Sequence, residues 1–160
     1  MRKFSIELKW ALIFIAMSLV WMLLERLVGL HGPYIDKHPV YTNLIAIPAI
    51  AVYVFALLDK RRNHYAGAMT YLQGLGSGLA ITLVVTVASP LTQLVTSLLI
   101  TPEYFPNAIA NAVAAGKLSL NEAESYFSLG SYIVQGLIGA PIMGILTSAV
   151  VALFTRKKAK

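Results

Sequence analysis

Trp10-Ala-Leu-Ile-Phe-Ile-Ala-Met-Ser-Leu-Val-Trp-Met-Leu-Leu24 carries no ionisable side chain, and beyond Glu25 and Arg26 the apolar character resumes from Leu27 to Leu30. A helix over residues 10–30 would be about 30 Å long, the thickness of the hydrocarbon core of a bilayer. Arg2 and Lys3 ahead of an apolar run also fit a secretory signal. No small-x-small cleavage site follows, so the segment is read as a retained membrane anchor.

The rest of the chain repeats the pattern. His31, Gly32 and Pro33 make a turn, and Asp36, Lys37, His38 and Pro39 a short polar loop. A second crossing is expected over residues 41–58, closed by Asp59, Lys60, Arg61 and Arg62. Residues 59–73 read as an interfacial loop with a short re-entry, and residues 74–100 as a third crossing kinked at Pro90. Residues 131–154 form the fourth, ahead of Arg156, Lys157, Lys158 and Lys160. Between the last two lies an extramembrane segment, residues 101–128, with helix signals of its own. Pro106 can open a short helix that Gly116 ends, and Ser119-Leu-Asn-Glu122 is a capping box for another. Ile109, Val113, Leu120, Tyr126 and Phe127 are the expected apolar anchors of that segment on the bundle. The fold class is thus an all-α integral membrane protein: a single transmembrane domain over residues 1–160, four crossing helices in a bundle and two short helices between the third and fourth.

Composition agrees. Of 160 residues, 58% are hydrophobic and 12% charged, which excludes a water-soluble surface for a domain of this size. Cysteine is absent, so disulfides, thiolate nucleophiles and cysteine metal sites are excluded. The net charge of +6 does not indicate nucleic acid, because the basic residues sit in clusters beside apolar runs. Ten of the 13 lysines and arginines fall in the N-terminal, Lys60–Arg62 and C-terminal segments, leaving Arg26, Lys37 and Lys117 for the opposite side. The positive-inside bias then puts both termini and residues 59–73 in the cytoplasm.

Four stretches are informative together: Met1-Arg-Lys-Phe-Ser-Ile-Glu-Leu-Lys-Trp10, Met69-Thr-Tyr-Leu-Gln-Gly74, Ser89-Pro-Leu-Thr-Gln93 and Ile100-Thr-Pro-Glu-Tyr-Phe-Pro106. They resemble the small bacterial membrane proteins grouped as domain of unknown function 4199, with the Thr101–Pro106 block the most specific. The resemblance implies a four-helix membrane protein and supplies no catalytic residues.

Within the third crossing Gly78, Thr82, Thr86, Ser89, Gln93 and Thr96 recur every three or four residues and share one face. Such a stripe packs against another helix or lines a hydrated path. Gly136, Ala140, Gly144 and Ser148 place a small residue at every fourth position of the fourth crossing, and Gly74 and Gly78 do so in the third. Two such helices can meet within a protomer, or the fourth can pair with its copy in a dimer. Glu25 shares a face of the first helix with Ala11, Ile15, Ser18, Met22 and Gly29, and a carboxylate at that depth must be paired, hydrated or protonated. Arg26 lies roughly 100° around the helix, a poor angle for pairing. His31, Asp36 and His38, with Glu103, Glu122 or Glu124, are metal ligands by type, but their spacing matches no established site and they read as polar turn residues in solvent. No nucleophile elbow accompanies the Ser, His and acidic residues, and Gly74, Gly76 and Gly78 lack the strand and lysine of a phosphate loop. No metal or cofactor is expected.

The resulting expectation is a non-enzymatic membrane protein acting through contacts with itself, with lipids or with a partner membrane protein. The alternative is an oligomeric channel or transporter for a small solute or ion, using Glu25 with Thr82, Thr86, Ser89, Gln93 and Thr96.

Overall fold

The computed structural model describes residues 4–158, and helices account for most of them. Helix α1 is Ser5–Leu27. A 3-10 turn, Ile35–Lys37, leads into α2 (His38–Tyr41), a second 3-10 turn (Thr42–Ile45) and α3 (Ala46–Asn63). Helix α4 (Tyr71–Val95) continues as a π turn over Thr96–Ile100, α5 (Tyr104–Ala114) and α6 (Leu120–Tyr126) follow, and α7 is Leu129–Thr155. Four helical spans are long and apolar enough to cross a membrane: Ser5–Leu27, Ile35–Asn63, Tyr71–Ile100 and Leu129–Thr155. The first two begin earlier than the uncharged runs suggest, because Ser5 to Lys9 and Ile35 to Tyr41 are already helical. The chain is a multi-pass membrane protein.

The distribution of side chains follows from lipid as solvent. Leu27, Leu83, Val87, Leu91, Leu99 and Phe154 are among the exposed large hydrophobics, which in water would be an aggregation hazard and in hydrocarbon costs nothing. The interior is rich in small and polar residues, with Ala11, Ala56, Ser77, Thr82, Ser148 and Ala152 buried beside Tyr53, Leu57, Met69 and Ile81. Without a hydrophobic force between helices, close backbone approach and interhelical hydrogen bonds must supply the attraction.

The α4–α7 seam shows how. The helices run antiparallel with Gly74 against Ala152, Gly78 against Ser148, Gly144 against Thr82 and Gly136 against Ser89. The small-residue spacing of the fourth crossing is therefore used within the protomer. A Cβ on Gly78 would lie 2.7 Å from that of Ser148, so only glycine permits the contact. Tyr53 of α3 joins the seam through its hydroxyl, 2.8 Å from Thr82 Oγ1. Pro90 lies inside α4 and withholds the amide that would bond the Thr86 carbonyl; Ser89 Oγ donates to that carbonyl at 2.9 Å.

Glu7 and Glu25 lie five turns apart on one face of α1, separated by about 27 Å at the helical rise. Each buried carboxylate thus stands near one membrane interface. At the end bearing the termini, Lys60 Nζ lies 2.8 Å from Glu7 Oε1 and Ser77 Oγ donates to the same oxygen at 2.8 Å. Lys9 pairs with Asp59, which also accepts from Trp10 Nε1 at 2.7 Å. Residues 59–73 hold no re-entrant helix. Asn63 ends α3, and Met69 forms an isolated antiparallel bridge with Lys157 before Thr70 caps α4.

At the other end α5 and α6 form a cap. Gly116 adopts the left-handed φ of +65° after α5, and the Ser119–Glu122 capping box opens α6 as its residues require. The expected anchors are corrected in part: Val113, Leu120 and Tyr126 are exposed, while Ala108, Ala112 and Ala123 are buried. Small methyl groups let these short helices lie close to their neighbours, which the larger side chains would prevent.

The seam generates a paired prediction. Gly144→Ala should lower thermal stability in detergent, because overpacking costs about 1–3 kcal/mol against a helix-propensity gain of about 1 kcal/mol. Gly139→Ala, five residues earlier on another face of α7 with no neighbouring atom within 4 Å of its added methyl, should be neutral or slightly stabilising. Equal melting of both variants would contradict the intramolecular seam.

Candidate functional site

Glu25 sits in the last turn of α1 and is 2% exposed. Beyond the helix end, Gly29 takes a left-handed φ of +84°, a conformation strained for other residues. Its carbonyl accepts from Gly32 N and Tyr34 N, closing a turn that folds the chain back over the helix end. His31 is thereby returned to the carboxylate six residues behind it, with Nε2 at 3.0 Å from Glu25 Oε2. His38 opens α2, where Pro39 suits the first turn of a helix, and its Nε2 lies 3.2 Å from the same oxygen. The other oxygen, Oε1, accepts from Trp21 Nε1 at 2.6 Å, one helical turn earlier.

The cap completes the enclosure. Tyr104 of α5 packs its ring 5.0 Å from that of His31 and 5.1 Å from that of His38. Its hydroxyl lies 3.4 Å from His38 Nδ1 and 3.1 Å from the hydroxyl of Tyr132 on α7. Burial pushes the Tyr104 phenol above its ordinary range, so it remains a neutral donor and acceptor. Asn107 Nδ2 donates to the His31 carbonyl at 2.8 Å and ties α5 to the turn. His31 Nδ1 is buried with no hydrogen-bond partner among the described residues. A polar atom left so forfeits about 1–3 kcal/mol.

A cavity of about 190 Å³ adjoins the cluster, walled by Arg26, His31, Pro33, Thr101, Glu103 and Tyr104. Arg26 does not serve Glu25; it donates to the Ile100 carbonyl at 2.6 Å, where the π turn leaves the helix. One donor atom from each of Glu25, His31 and His38 lies within 4.8 Å of the others, a set of metal-ligand types.

These positions revise several sequence expectations. Glu25 is the centre of the cluster, as its helical face suggested. His31 and His38 are corrected from solvent-facing turn residues to partners of Glu25, His31 buried and His38 partly so, because the Gly29 turn and Tyr104 direct them inward. Asp36 remains exposed, as do Glu122 and Glu124, and Glu103 reaches the cavity wall only. Trp21, Tyr104 and Tyr132 were not singled out by the sequence; the four-residue spacing of Trp21 and Glu25 was the one local signal available. The polar stripe of α4 divides. Gly78 and Thr82 pack on α7, and Thr86 Oγ1 is buried with no hydrogen-bond partner among the described residues. Ser89, Gln93 and Thr96 border a separate cavity of about 200 Å³ with Ser18 and Met22 of α1.

No curated protein matches the chain, and no solved structure matches it. The family described as "Protein of unknown function (DUF4199)" matches residues 9–157, which contain every residue of the cluster. With that match spanning all four crossings and the cap, the chain belongs to the DUF4199 family.

Proposed function

We propose that this is a non-enzymatic protein of the bacterial inner membrane, with both termini cytoplasmic, whose working part is a binding site for a polar or cationic ligand at the outward-facing capped end. The observation that carries this reading is the convergence of two imidazoles on one buried carboxylate oxygen beside a cavity. One partner would neutralise Glu25; a second imidazole and an aromatic cover amount to a built site. The orientation rests on the positive-inside bias of the basic segments. Contacts with lipid are supplied by the exposed aliphatic side chains of α1, α4 and α7. Self-association draws less support, since the small-residue seam of α7 is occupied by α4.

A second reading, an oligomeric conduit for a small solute or ion, is favoured by the cavity lined by Ser89, Thr92, Gln93 and Thr96. The inner half of the same stripe argues against it. Gly78 and Thr82 lie in van der Waals contact with α7, and Tyr53 closes over Thr82. A continuous path along α4 would have to break that packing.

Single cysteines can be placed on this cysteine-free chain without background. Ser119→Cys should react with an impermeant thiol reagent in intact cells, and Lys158→Cys only after lysis; the reverse pattern would invert the topology. In proteoliposomes under a potassium diffusion potential, proton entry should not exceed that of empty vesicles. A flux that Gln93→Leu abolishes would replace the binding reading with the conduit.

A further inference from the structure

We propose that Glu25, His31 and His38 bind a divalent transition-metal ion of the zinc class, through Glu25 Oε2 and the Nε2 atoms of both imidazoles. The proposal rests on reading the capped end as a ligand site and names the ligand's class.

Geometry is the first argument. Zinc bonds to nitrogen and carboxylate oxygen of about 2.0–2.1 Å set the edge of a tetrahedron at about 3.3 Å. The two carboxylate–imidazole separations are 3.0 and 3.2 Å, and all three donor atoms lie within 4.8 Å of one another. Lengthening those two contacts by a few tenths of an ångström, with the two Nε2 atoms set to the same edge, would let one ion reach all three atoms. Two histidines and one carboxylate are a known donor set for zinc, with the remaining position left to water or an anion. The cavity beside His31 offers room for that ligand, with the opposite charges of Arg26 and Glu103 on its wall. Calcium and magnesium are disfavoured because they select oxygen donors.

Proton placement is the second argument. Without a metal, each Nε2 that bonds to Oε2 carries a hydrogen, and Nδ1 of a neutral ring is then an acceptor. His31 Nδ1 has no hydrogen-bond partner among the described residues, with or without a metal, whereas His38 Nδ1 stands 3.4 Å from the Tyr104 hydroxyl. Coordination through Nε2 moves the hydrogen to Nδ1, which in His38 faces Tyr104 Oη as acceptor, and the Tyr104 hydroxyl can then donate a hydrogen bond to Tyr132 Oη. Metal-bound histidines are held by such outer partners. Trp21 performs the same service for the carboxylate by occupying Oε1 and leaving Oε2 to face the imidazoles.

The test uses the full chain in detergent, stripped with a chelator and titrated with Co²⁺. A visible absorption of tetrahedral intensity, saturating at one ion per chain and displaced by Zn²⁺, is expected. His38→Gln, at the partly exposed ligand, should weaken Co²⁺ binding by about 100-fold or more, whereas Trp21→Phe, which keeps all three ligands, should weaken it by about 10-fold. Thermal unfolding and gel filtration of each variant establish that it is folded. A folded wild-type chain without a tetrahedral Co²⁺ spectrum would overturn the metal assignment, as would a spectrum that folded His31→Gln and His38→Gln variants both retain. The flux and thiol-labelling results bear on the binding reading separately, so the two failures are distinguishable.

Discussion

A carboxylate held at the edge of the hydrocarbon, 2% exposed, is the constraint around which one end of this protein is arranged. An unpaired charge there is too costly to persist, and breaking a buried pair by removing one partner costs on the order of 3–5 kcal/mol. Glu25 is matched by His31 and His38 on one oxygen and by Trp21 on the other. Each match recruits a further element. His31 requires the left-handed turn at Gly29, His38 requires the short α2, and both are covered by Tyr104, which brings α5 down onto the bundle. The cap is thus fastened to the membrane domain by polar contacts as much as by its buried alanines.

The same rule applies at the opposite interface. Glu7 occupies the same face of α1 five turns away and is matched by Lys60 and Ser77. Helix α1 is therefore held at both ends by charge, and between those ends by packing of Ala11 and its neighbours. The centre of the bundle relies on glycine and hydroxyl contacts between α4 and α7, a means of association that does not depend on water. The two ends differ in kind. The Glu7–Lys60 pair joins opposite charges with Ser77 on the same oxygen, whereas the Glu25 cluster joins one carboxylate to two imidazoles beside a cavity. That asymmetry is why function is assigned to the capped end.

Much of the architecture was legible before any coordinates. Uncharged runs bounded by basic clusters marked the four crossings, the Ser119–Glu122 box marked α6, and Gly116 marked the end of α5, because each of these signals is local. The seam was legible as spacing but not as a partner, since four-residue periodicity in α7 is equally suited to α4 or to another copy. His31 and His38 were misplaced because turn residues carry no periodicity, and their inward direction depends on a glycine φ and on a tyrosine 66 residues beyond His38. The anchors of the cap were misjudged for a related reason: short helices at close range bury alanine and turn larger side chains outward.

The central claim is that His31 and His38 share one carboxylate in the bundle rather than standing in solvent. Imidazole ¹⁵N spectra of the labelled chain in micelles address it directly, because the chain has 3 histidines and the third, His64, is exposed at the opposite end. On Glu25→Gln the Nε2 signals of His31 and His38 should move together while those of His64 stay in place. Signals of His31 and His38 that coincide with the solvent-exposed pattern of His64 and ignore the substitution would contradict the account.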